Sequence, residues 1–168
     1  MYILIFSSFE LKIPHSFSNF FHFINFLMES EIGLKFLYKN EIIEASVLKT
    51  NKIVGLYFSA SWSPYCQAFT PILIDFYNEI NIEEKQFEII LVPRDQKKED
   101  FEEYYSKMPW LALPFEDSRI NGFVDKFGIK GFPNLIILKK SGEMATKNGK
   151  SDVINDDKAA FEKWLNLL

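Results

Sequence analysis

The run Trp62-Ser63-Pro64-Tyr65-Cys66 sets a hydroxyl and a thiol three residues apart, where the apolar stretch Ile53 to Phe58 gives way to a helical pattern. Two cysteines at that spacing exchange disulfides: one thiolate attacks a substrate disulfide and the other resolves the mixed disulfide. Here the first position is Ser63, and Cys66 is the only cysteine in 168 residues, so no disulfide can form within the chain. A serine is a poor nucleophile without an adjacent general base, normally a histidine. Both histidines, His15 and His22, lie far away in the N-terminal part, so a Ser-His hydrolase is not supported. Ser63 is better suited to cap a helix. Proline is favoured at the first helical position, and a serine just before it accepts from the backbone N–H of Tyr65 or Cys66.

Cys66 falls in register with Phe69, Leu73, Phe76 and Ile80, at offsets of three and four that mark one buried helical face. Burial disfavours a thiolate, while the nearby helix N-terminus favours negative charge. Burial is expected to win, leaving Cys66 an inert core residue with some access because Ser63 opens the site.

Elements able to position this motif follow it in order. Ile53 to Phe58 and Phe87 to Val92 are near-continuous apolar runs, as in strands buried on both faces. The helix between them is the crossover. Further helices are expected over Lys98 to Ser106 and Arg119 to Phe127, the latter capped by Asp117 or Ser118 and stopped by Gly128. Leu135 to Lys139 reads as a strand, Ser141-Gly142 as a turn, and Met144 to Lys147 as a weaker strand. Asp156 or Asp157 caps a last helix turning Phe161, Trp164, Leu165 and Leu168 toward the sheet. Alternating strands and helices predict an α/β domain over residues 34–168, built on a largely parallel sheet.

Composition fits one such domain, with 48% apolar and 25% charged residues. A net charge of −4 gives no basic footprint for nucleic acid. A single cysteine argues against a disulfide-stapled secreted fold and for a reducing compartment, the cytoplasm or the nucleus. Residues 1–27 differ from the rest, with seven Phe and only Glu10 and Lys12 charged. Polar interruptions prevent a membrane span of about 20 apolar residues. Phe17, Phe20, Phe21, Ile24 and Met28 could form an amphipathic helix, but a translation start at Met28 or a disordered segment is the preferred expectation. Membrane association is not expected, and His15 and His22 have no nearby Cys, Asp or second His cluster with which to bind a metal.

Three segments together resemble the tryparedoxins and nucleoredoxins. Tyr57 to Pro71 is similar to their active-site segment, which reads Trp-Cys-Pro-Pro-Cys at its centre. Lys107 to Asp117 resembles the insertion that separates this family from short thioredoxins, and Gly131-Phe132-Pro133-Asn134 falls where the family keeps its cis-proline loop. The resemblance implies a thioredoxin-like fold, a central mixed β-sheet flanked by helices, and protein-disulfide reductase activity in redox homeostasis without a cofactor. It makes Cys66 the equivalent of the resolving cysteine and Ser63 the position of the nucleophile. Tyr57 stands where ordinary thioredoxins keep a buried Asp, as it does in tryparedoxins; Tyr65 replaces the second proline, and Gln67 replaces a residue that is often basic.

By resemblance, Trp62, Pro64, Tyr65, Phe132, Pro133 and the loop around Trp110 form an apolar groove for an extended protein or peptide partner. The expected function is a redox-inactive binding module that uses this groove. The alternative is a residual thiol-disulfide oxidoreductase in which Cys66 acts with an external thiol such as glutathione.

Overall fold

The computed structural model describes residues 35–167. The Phe-rich segment 1–27, the start expected at Met28, both histidines and Leu168 lie outside them. Strands β1 (Lys35–Tyr38) and β2 (Glu41–Glu44) form a hairpin, followed by a short 3-10 helix, Ala45–Thr50. Then come β3 (Ile53–Ser59), α1 (Pro64–Ile80), β4 (Phe87–Pro93), α2 (Lys98–Tyr105), β5 (Leu111–Ala112) and α3 (Arg119–Phe127). The chain continues through β6 (Asn134–Leu138), β7 (Met144–Thr146), α4 (Gly149–Asp156) and α5 (Lys158–Leu165).

The seven strands make one mixed sheet in the order β2-β1-β5-β4-β3-β6-β7. At its centre β3 pairs parallel with β4 from Ile53↔Phe87 to Ser59↔Pro93, and antiparallel with β6 from Val54↔Leu138 to Phe58↔Asn134. Every residue of β3 and β4 is buried, in keeping with their near-continuous apolar runs, and the one charged residue, Glu88, is held inside by the Tyr77 hydroxyl and Lys85. Successive side chains alternate between faces. Ile53 and Tyr57 join Ile89 and Leu91 under α1, α2 and the two C-terminal helices. Val54, Leu56 and Phe58 join Ile90, Val92 and Ile136 under α3.

α1 buries Cys66, Phe69, Leu73 and Phe76 as its spacing demands, each large apolar side chain contributing about 1.5–3 kcal/mol of transfer free energy. α3 starts after Ser118, whose side chain makes no capping bond; Asp117 Oδ1 accepts from the Arg119 N–H instead, at 2.9 Å. Gly128 closes it at φ 62, the left-handed region where glycine carries no Cβ penalty. α5 follows Asp157 as expected, but the Asp157 side chain makes no capping bond. α4, β5 and the β1–β2 hairpin are additions to the sequence reading. α4 packs against β6 so closely that a Cβ on Gly149 would lie 2.7 Å from the Leu135 carbonyl oxygen.

Candidate functional site

The motif lies at the C-terminal end of β3, where the chain turns into α1. Ser63 is the N-cap in extended backbone (φ −89, ψ 115), and its Oγ accepts from the Cys66 N–H at 3.3 Å. That bond satisfies one of the donors every helix start leaves free. Ser63 is therefore 5% exposed and already occupied, and Cys66 is wholly buried. Gln67 is exposed, with its amide donating to the Ser61 carbonyl at 2.6 Å.

Behind Cys66 four hydroxyls meet. Thr70 Oγ1 donates to the Cys66 carbonyl at 2.8 Å and lies 2.8 Å from the Tyr57 hydroxyl and 2.6 Å from that of Tyr104. A threonine hydroxyl carries one hydrogen. Since it goes to Cys66, Tyr57 and Tyr104 must both donate to Thr70, and Ser59, 2.9 Å from Tyr104, must donate to that phenol. The proton arrangement is thus unique. Burial, and after it the charge of Tyr104, pushes the Tyr57 hydroxyl far above its ordinary range, and burial raises that of Tyr104. Both remain neutral donors, so this pocket supplies no base.

The outer side of the same turn is different. Trp62 is 57% exposed and Tyr65 75% exposed. Pro64 is also exposed. The Trp62 indole N–H donates to the Arg94 carbonyl at 3.2 Å, and its ring meets Phe132 edge-on with centroids 6.4 Å apart. Phe132 precedes Pro133 through a cis peptide bond. The Arg94 guanidinium lies 5.8 Å from the Phe132 ring centre and donates to Asn121 at 3.2 Å. Trp62, Arg94, Asn121 and Phe132, with Asp95, Phe115 and Glu116, line a cavity of about 460 Å3 beside the motif; the predicted groove residues Pro64, Tyr65 and Pro133 do not line it, and Pro133 is buried.

Trp110 does not join this groove. It is fully buried, packed edge-on against Tyr57 at 6.1 Å and Tyr77 at 5.5 Å. Its neighbour in β5, Leu111, pairs with β4, which carries the tryptophan into the core. The loop that follows does reach the groove, through Phe115. Sequence reasoning missed Arg94 and Asp95 at the end of β4, and the hydroxyls of Thr70 and Tyr104. Thr70 had a readable signal in its place one turn after Cys66 on the buried face. Among the described residues no three His, Cys, Asp or Glu side chains gather as metal ligands, and no helix is long and apolar enough to cross a membrane.

A family model described as thioredoxin-like matches residues 51–144. The tryparedoxin of Trypanosoma brucei brucei is 41% identical over 117 residues, covering 68% of this chain and 81% of that protein. The chain belongs to the thioredoxin-like family of tryparedoxins and nucleoredoxins. The nucleoredoxin of Xenopus laevis is 44% identical over 117 residues, 67% of this chain but 27% of that protein, so the match spans about a quarter of its length. A solved tryparedoxin II in complex with glutathionylspermidine shares 41% identity with a TM-score of 0.69, covering 76% of this chain and 89% of that one. The mixed sheet and its helices are the thioredoxin-like α/β fold.

Proposed function

We propose that this chain is a thioredoxin-like binding module that holds an extended protein or peptide segment in the groove beside Trp62 and Phe132 without exchanging disulfides. One observation carries the reading: Ser63, which the family resemblance sets at the nucleophile position, is engaged as the helix cap of Cys66, while Cys66 is the chain's only thiol and is fully buried. Dithiol exchange needs two sulfurs, one of them accessible. The exposed Trp62 and Tyr65, with the half-buried Phe132 edge-on to Trp62, support retention of the binding half. A reducing compartment, cytoplasmic or nuclear, accords with a lone free thiol.

The second reading is a residual oxidoreductase in which Cys66 works with a small external thiol. It is favoured by one finding, that a tryparedoxin relative was solved in complex with glutathionylspermidine. Insulin reduction with a dithiol donor separates the two. The binding module leaves the rate at background, and Cys66 labels slowly with a thiol reagent until the chain is denatured. Robust turnover that disappears in Cys66→Ala would overturn the proposal.

A further inference from the structure

Phe132 borders two cavities, and they carry opposite charge. On one side it faces the groove with Trp62, Asp95 and Glu116; on the other it faces a cavity of about 430 Å3 with Lys130, Gly131 and Lys147. The basic side has no internal neutralisation. Among the described residues no carboxylate pairs with Lys130 or Lys147, and both are exposed.

On the acidic side Arg94 is engaged by the Phe132 ring and by Asn121. Asp95 accepts from the Ser61 N–H through Oδ1 at 2.8 Å, but its buried Oδ2 has no hydrogen-bond partner among the described residues. An unpaired buried carboxylate oxygen is costly and is relieved by a donor, best by a cation. Glu116 has φ 59, held there by a turn in which the Asp117 N–H donates to the Pro114 carbonyl at 3.1 Å. A non-glycine residue in that region costs free energy, and such positions cluster at binding loops.

We propose that the occupant of the groove is an extended peptide segment with charge on both sides of an apolar anchor: the anchor at the Trp62–Phe132 edge, a basic side chain toward Asp95 and Glu116, an acidic one toward Lys130 and Lys147. This rests on the binding-module reading and adds the chemistry of the partner. The charge pattern sets which segment binds and how it is oriented, while the aromatic edge supplies the contact area.

The test uses the full chain and four blocked heptapeptides with a central leucine: Lys-Lys-Ala-Leu-Ala-Glu-Glu, an all-lysine form, an all-glutamate form and a glutamine form. Trp110 and Trp164 are fully buried, so changes in tryptophan emission and in its quenching by acrylamide report on Trp62. The mixed peptide should bind about tenfold tighter than either single-charge peptide at low salt, the scale of a few exposed ion pairs, and the advantage should shrink as salt screens them. Lys130→Glu together with Lys147→Glu should reverse the order, so that the all-lysine peptide binds best. Equal binding by all four peptides, or an order unmoved by the charge reversal, overturns the charge arrangement and leaves groove binding standing. Failure of every peptide to perturb Trp62 overturns the charge arrangement and the binding reading together.

Discussion

The two sides of one helical turn have opposite characters. Inward, Ser63, Cys66, Thr70, Tyr57 and Tyr104 are buried, and every hydroxyl among them has its partner. Outward, Trp62 and Tyr65 expose large aromatic rings beside a groove whose Asp95 keeps an oxygen unpaired. An unsatisfied surface has surface to bury against something else. On the binding-module reading the capacity of the site lies in recognition, with Ser63 engaged as the cap of α1.

The sharpest way to break this contrast is to place a sulfur at position 63. Ser63→Cys should bring the chain from background to measurable insulin reduction and lose the mass of two hydrogens on oxidation, since position 63 sits at a helix N-terminus that favours a thiolate. A folded Ser63→Cys variant with neither property would show that the outward substitutions, Tyr65 and Gln67, have also closed the chemistry. Next come the two tryptophans. Trp110→Ala should lower unfolding free energy by about 4 kcal/mol, as for a large aromatic removed from a core, whereas Trp62→Ala should change it by less than about 1 kcal/mol. Denaturant titration of both variants checks the difference, and equal losses would erase the division between inner and outer faces.

Thr70→Val keeps the shape of the side chain and removes the acceptor of two buried phenols. It should cost about 2 kcal/mol, because unpaired buried donors retain their desolvation penalty. The smallest effect concerns the wall of the groove. Asp117 takes the Arg119 guanidinium in a two-pronged ion pair, Nε at 2.7 Å and Nη2 at 2.8 Å. The side-chain hydrogen bonds from Arg119 hold its carboxyl below the ordinary range. A lowered folded-state value means stabilisation that is present above the unfolded value, near pH 4, and lost as pH falls through the folded one. Asp117→Asn should therefore cost about 1 kcal/mol at neutral pH, and the gap to the native chain should close in acid. A gap that persists below that range would assign the loss to packing.

Much of the site was legible because its signals are local. Ser63 before Pro64 specifies a helix cap from neighbouring residues alone, and the structure supplies the Cys66 N–H as its donor. The Gly128 stop falls where local sequence put it, and the cis Phe132–Pro133 bond where the family resemblance put it. Position in an insertion said nothing about the direction of Trp110, because a tryptophan suits a groove and a core equally well. α4 escaped notice because its buried residues are Gly149, Asp152 and Val153, a set without an apolar stripe. Asp152 is held inside by the Trp164 indole at 2.9 Å and by Lys163 at 2.6 Å, partners from the next helix.

The sequence by itself determined the central strands, the buried face of α1, the serine three residues before the lone Cys66 and the capping role of Ser63, since each depends on residue type and on periodicity within one element. Only the tertiary structure decided that two-residue β5 would join the sheet through Leu111 and Ala112 and draw Trp110 inside. It also decided that Tyr57, Thr70 and Tyr104, from three separate elements, would share their hydroxyls behind Cys66, and that Phe132 would stand between carboxylates and lysines. A two-residue strand has no period to read. Hydrogen-bond partners and charges brought together by folding leave no trace in the spacing of any one segment.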